Sequence, residues 1–203
     1  MQFVDLAALT IHDVKNRLAI LASRAETRGD GETVHDALTA AATLTQLLLF
    51  YKAEKGSLSV DIDARVPADL LEELAMEIGK QTALTVAVSV GEAPTLWFYD
   101  EALVRMVLLN AIYNALRHAV KTITLSAHVR DDCLDFTVQD DGSGYPPAML
   151  EQPMNMRSLS REGTGLGLYL ASKVAALHSN SGQEGSVELR NAQGAVFCLR
   201  LPK

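Results

Sequence analysis

Asn110-Ala111-Ile112-Tyr113-Asn114-Ala115-Leu116-Arg117-His118 carries two carboxamides and a guanidinium at i, i+4 and i+7, the spacing that sets side chains on one face of an α-helix. Leu108, Ile112 and Leu116 then fall where a core can take them. Asparagine is a costly helix residue with little packing value, so two of them one turn apart need a reason. Their oxygens suit a hard cation such as Mg²⁺, which takes few protein ligands and keeps water and phosphate oxygens for the rest. On this stretch alone, a solvated polar face explains the pair equally well.

Two glycine-rich boxes follow downstream. Asp140-Asp141-Gly142-Ser143-Gly144-Tyr145-Pro146-Pro147 ends a strand, and glycines two apart let the backbone approach a ligand closely or adopt positive φ. A tight turn closed by two prolines is the plainer explanation. Gly163-Thr164-Gly165-Leu166-Gly167-Leu168-Tyr169-Leu170 then opens an apolar helix, where free N–H groups and the positive end of the helix dipole suit phosphate oxygens. No Gly-Lys-Ser/Thr follows, which excludes a Walker loop. A Rossmann fingerprint fits poorly, because the box lacks a preceding strand and an early position.

Around these boxes the pattern predicts strands at Leu58–Ile62, Thr82–Val90, Thr95–Phe98, Thr122–Val129, Leu134–Gln139, Ser186–Arg190 and Ala195–Leu201. Helices are expected at Ala68–Gln81, Asp100–Ala119 and Gly165–His178, with hairpin turns at Arg130–Asp132 and Asn191–Gly194. The fold class is therefore α+β, with one largely antiparallel sheet layered against helices.

The N-terminal quarter differs. Val4, Ala7, Ile11, Val14, Leu18, Leu21 and Ala25 alternate spacings of three and four, a coiled-coil seam. Gly29-Asp30-Gly31 breaks it, and a second seam runs through Val34, Ala37, Ala41, Leu44, Leu48 and Tyr51. So short a turn forces an antiparallel hairpin. Leu38, Ala42, Leu47 and Leu49 widen the apolar face of the second helix beyond what one partner covers, which predicts a homodimer joined as a four-helix bundle. The polar run Lys52–Ser57 reads as the boundary between a hairpin domain, 1–55, and a second domain, 58–203.

The 203 residues are 48% hydrophobic and 21% charged, a globular composition with length for one or two cores. Lys and Arg number 18 against 25 Asp and Glu, a net charge of −7 with no basic run, which argues against a nucleic-acid partner. Cys133 and Cys198 have no metal-ligand spacing and read as reduced strand thiols. The longest uncharged stretch, Ala37 to Tyr51, is too short and polar for membrane insertion, and Asp5 interrupts any signal-peptide core. The expected location is cytoplasmic.

Taken together, the asparagine helix, the Asp-x-Gly-x-Gly turn and the Gly-Thr-Gly-Leu-Gly-Leu loop resemble the ATP-binding domain of the histidine kinase and type II topoisomerase superfamily, the Bergerat fold, over roughly residues 58–203. The resemblance implies ATP and Mg²⁺, with Asn114 and Asn110 as metal ligands and Arg117 against phosphate charge. It implies that Asp140 accepts a hydrogen bond from the adenine amino group, and that Gly142, Gly144, Gly163, Thr164, Gly165, Leu166 and Gly167 make room for the nucleotide and its lid. His118 either packs on adenine or is a buried structural residue.

Within that superfamily, Ile11-His12-Asp13-Val14-Lys15-Asn16-Arg17-Leu18 resembles the phospho-acceptor box of sensor histidine kinases. His12 follows a seam residue and so sits at the rim of a bundle, with Asn16 one turn beyond on the same face. The resemblance makes His12 the nucleophile and Asp13 the holder of its ring proton. It gives Asn16 the task of orienting water when such kinases dephosphorylate a response regulator, whose receiver domain is the implied partner. Val34-His35-Asp36 is a decoy with a similar acid at +1, placed by the turn.

Two departures stand out. Arg17 occupies a place where the family often has proline, and the short lid from Tyr145 to Glu162 has no phenylalanine, leaving Arg157 and Arg161 as phosphate contacts. Two other readings stay open: a histidine phosphotransferase relaying phosphate between receiver domains without ATP, and a serine kinase of the anti-sigma type or another Bergerat-fold ATPase. No sensor, receiver or membrane-spanning segment is read here, so the signal is expected from the rest of a longer protein or from a separate sensor protein.

Overall fold

Two long helices, α1 (Phe3–Thr27) and α2 (Gly31–Glu54), form the first of two units, Met1–Leu58, and the second comprises Ser59–Lys203. The computed structural model describes residues 3–151 and 166–203. Asp30 starts α2 by accepting the Thr33 N–H at 3.1 Å and the Thr33 hydroxyl at 2.6 Å, and these bonds hold its carboxyl below the usual range. Among the described residues of the two helices, the buried ones are small: Ala22, Ala25 and Ala37. Val14 and Leu21, expected in the seam, are instead 38% and 42% exposed. Ala25, of the same seam, is fully buried, and Ala22 rather than Leu21 is buried one turn before it. Ile20, Leu38 and Leu47 also face solvent.

The second unit begins with β1 (Asp63–Arg65), α3 (Pro67–Gly79), β2 (Thr85–Ser89) and β3 (Trp97–Tyr99). It continues with α4 (Glu101–His118), β4 (Thr122–Arg130), β5 (Cys133–Asp140), α5 (Pro147–Glu151) and α6 (Leu166–Leu177). It closes with β6 (Ser179–Asn180), β7 (Gln183–Glu184), β8 (Ser186–Asn191) and β9 (Ala195–Pro202). The main sheet runs β2-β4-β5-β9-β8, antiparallel except for the parallel β2/β4 pair, while β1/β3 and β6/β7 form small two-stranded sheets. The α+β class and the largely antiparallel sheet are as the sequence predicts.

Strand alternation makes the core. Along β4, Ile123, Leu125 and Ala127 are buried while Thr122, Thr124 and Ser126 are half-exposed, and α3, α4 and α6 pack on the sheet and on each other. On β5, Asp135 is buried, its two oxygens taken by Arg200 at 2.7 and 2.8 Å and one of them also by Arg130 at 3.2 Å. Such a pair is costly to break from one side, because the remaining charge would be left dry. His178 ties the end of α6 to the start of α4, donating from Nδ1 to the Val174 carbonyl at 2.7 Å and accepting the Asp100 N–H on Nε2 at 3.0 Å. Both cysteines are free and buried.

Leu58–Ile62 is not a strand; pairing starts at Asp63. The Asp61 N–H goes to Asp100 Oδ2 at 2.9 Å, and β3 is only three residues long, so no partner is left for the earlier alternation. β2 starts late, at Thr85, because the Thr82 hydroxyl takes the Leu84 N–H at 3.1 Å and makes a turn there. Among the described residues no helix is long and apolar enough to cross a membrane.

Candidate functional site

α4 holds its asparagine face as the spacing requires. Leu108 and Ile112 are fully buried beneath it, while Asn114, Arg117 and His118 are exposed and Asn110 is half-buried. The exposed His118 excludes a buried structural role for that ring. Asp100 caps the helix by accepting the Leu103 N–H at 3.0 Å, which fixes where the face begins.

Glycines bring two other segments against this face. A side chain at position 167 would collide with the Asn110 carboxamide, so α6 starts in direct contact with the first asparagine. A side chain at 142 would collide with the His118 carbonyl oxygen, so the loop after β5 meets the far end of α4. At both positions the nearest neighbours are protein groups.

Asp140 ends β5, 5% exposed and next to the Gly142 loop. Its Oδ1 accepts the Gly142 N–H at 2.8 Å and the Ala195 N–H at 3.2 Å. Among the described residues no donor is directed at Oδ2, which leaves one fixed carboxylate oxygen able to accept from a ligand's N–H. Tyr145 stands close by, and its burial, reinforced by the Asp140 charge, pushes its hydroxyl up to about 12. It stays a neutral hydroxyl across the physiological range.

Sequence reasoning missed three residues of this region: Tyr145, Asp141 and Asn191. Asp141 is bonded to the backbone of Val120, Lys121 and Thr122, and Asn191 to the backbone of Tyr145, partners too distant in the chain for any local signal to reveal.

Two hard oxygen donors one helical turn apart, with the exposed Asn114 nearest solvent, fit a Mg²⁺ that completes its shell with water and phosphate. Among the described residues no cluster of three His, Cys, Asp or Glu offers an alternative metal centre. Gly163, Thr164, Gly165, Arg157 and Arg161 lie outside the described residues, whereas Leu166 and Gly167 open α6. His12 and His35 fall within α1 and α2, their side chains outside the described part; Asp13 and Asn16 are exposed on α1.

Residues 99–203 match the family model of the histidine kinase-, DNA gyrase B-, and HSP90-like ATPases. The sensor protein TorS of Escherichia coli is 31% identical over 187 residues, covering 86% of this chain and 20% of its own length. The signal transduction histidine-protein kinase AfsQ2 of Streptomyces coelicolor is 36% identical over 106 residues, 48% of this chain and 19% of its own. The chain thus spans about a fifth of the length of these curated relatives. In fold it is similar to full-length ShkA in complex with AMPPNP, with a TM-score of 0.72 and 21% identity over 98% of this chain and 45% of that one.

Proposed function

The chain belongs to the histidine kinase-, DNA gyrase B-, and HSP90-like ATPases, and from that premise we propose that it autophosphorylates on His12 with ATP and passes the phosphoryl group to a response-regulator aspartate. One observation carries the reading: α4 meets the start of α6 at the Asn110 side chain and the Asp140 loop at the His118 carbonyl that ends the helix, so three segments far apart in sequence frame one site.

In this reading Asp140 Oδ2 accepts from the adenine amino group, its orientation set by the two N–H bonds on Oδ1. Asn114 and Asn110 would hold Mg²⁺, which when bound offsets the charge of the phosphates. Arg117 adds a second cation on the same face. A ring nitrogen of His12 attacks the γ-phosphorus, the P–N bond forms as the bond to the ADP oxygen breaks, and Asp13 holds the proton on the other nitrogen. A receiver aspartate then takes the phosphoryl group and leaves the imidazole neutral. Asn16, exposed one turn from His12, would orient water for the reverse, dephosphorylating activity.

The apolar residues that α1 and α2 leave in solvent support a homodimer in which two hairpins make a four-helix bundle. The test of the acceptor is a pair of substitutions. His12→Ala should abolish phosphoryl incorporation from γ-labelled ATP, while His35→Ala retains most of it; the opposite outcome would move the acceptor to α2.

A further inference from the structure

We propose that Asp141 and Asn191 are positioning residues for the nucleotide, two side chains that lock the segment from Asp141 to Tyr145 at both ends and thereby fix the carboxylate of Asp140, which precedes it. The inference rests on the adenine reading above and extends it to residues that would not touch the ligand.

Asp140 and Asp141 are adjacent carboxylates with different surroundings. Asp141 takes three consecutive backbone N–H groups where α4 gives way to β4: Val120 at 2.7 Å and Lys121 at 3.0 Å on Oδ1, and Thr122, the first residue of β4, at 3.1 Å on Oδ2. Lys121 also reaches Oδ2 at 3.1 Å. These are charge-assisted bonds, stronger than neutral ones, and they hold the Asp141 carboxyl below the usual range. They fasten the loop to the chain leaving α4, two residues past His118, where Gly142 passes against the His118 carbonyl.

Asn191 does the same at the other end. Its Oδ1 accepts the Tyr145 N–H at 2.8 Å and its Nδ2 donates to the Tyr145 carbonyl at 3.0 Å, a rung between the loop and the β8–β9 turn. Gly144, at φ +81°, brings the loop so near that a Cβ there would stand 2.8 Å from the Asn191 Cγ. Asp140 stands just before the first lock, and the N–H groups that hold its Oδ1 belong to Gly142, next to Asp141, and to Ala195, the register partner of Asn191, which leaves its other oxygen to accept. The placement of an adenine on Asp140 relative to Asn114 then depends on Asp141 and Asn191 as well as on the strand.

The test uses the full chain with Mg²⁺ and non-hydrolysable analogues of ATP and GTP, together with the KM and kcat of autophosphorylation. Asp141→Ala should weaken ATP-analogue binding about tenfold, the scale of a lost charge-assisted bond, and erode the preference for adenine over guanine by a similar factor. KM should rise while kcat at saturation stays within about threefold, as expected for lost uniform binding. Asp141→Asn, which keeps a carbonyl acceptor, should recover part of the affinity, and Asn191→Ala should cost about threefold. Should Asp141→Ala fail to fold, Asp141→Asn and Asn191→Asp decide by the same readouts. Folded variants with wild-type affinity and base preference would overturn the proposal, as would a lowered unfolding midpoint with both readouts unchanged. Wild type that binds neither analogue would overturn the adenine reading and this inference together.

Discussion

Among its described residues the hairpin buries only alanines, Ala22, Ala25 and Ala37, whereas the C-terminal unit fully buries Tyr99, Phe136, Leu71, Leu74, Ile123 and Leu199. At roughly 25 cal/mol per Å² of apolar surface, the large side chains make the second unit a self-sufficient core. The hairpin leaves Ile20, Leu21, Leu38 and Leu47 42–53% exposed, apolar surface of the kind a partner covers. One unit therefore holds its site by its own packing, and the other is proposed to complete itself with a second copy.

That contrast can be broken most decisively at the hairpin. Leu38→Glu with Leu47→Glu should weaken the dimer by about a thousandfold or more, since a paired bundle would have to bury both carboxylates. Sedimentation at micromolar concentration would show monomer mass for the variant and twice that for wild type. Wild type that sediments as a monomer would remove the bundle.

A smaller effect is expected in the other unit. Leu74→Ala, deleting a fully buried side chain of α3, should cost about 2–5 kcal/mol in denaturant unfolding without changing the sedimenting mass. Loss below about 1 kcal/mol would mean that this core is not where the second unit keeps its stability.

The mildest test is chemical. Burial pushes the Cys198 thiol up to about 12 and raises that of Cys133 as well, so both stay protonated and unreactive at neutral pH. Alkylation of the native chain should run at least about tenfold slower than after unfolding. Equal rates would show that the sheet opens readily.

The sequence revealed most of what periodicity encodes. The alternation through Thr122–Val129 and the asparagine spacing on α4 both correspond to real faces, and the β4–β5 turn, with Asp131 and Asp132 at φ 52° and 58°, sits where the polar residues put it. Leu58–Ile62 misled because alternation states only that a segment could be a strand, and here the neighbouring backbone partner is a side chain, Asp100. The parallel pairing of β2 with β4 and the roles of Asp141 and Asn191 depend on partners brought together only by the fold. Asp140 and Asp141 look alike in the chain; only their hydrogen bonds tell which one is left able to accept from a ligand.

The site framed by α4, the Asp140 loop and the start of α6 is proposed to deliver the γ-phosphoryl group of ATP to a histidine. Incubation of the whole chain with Mg²⁺ and γ-labelled ATP, beside an Asn114→Ala, Asp140→Ala double variant, tests it most directly. Wild type should gain label that is lost in acid and kept in alkali, as a phosphoramidate is, and the double variant should gain none. Acid-stable label would point to a serine or threonine ester, and no label from ATP in a chain that accepts phosphate from a phosphorylated receiver domain would make it a phosphotransferase; either result contradicts the account.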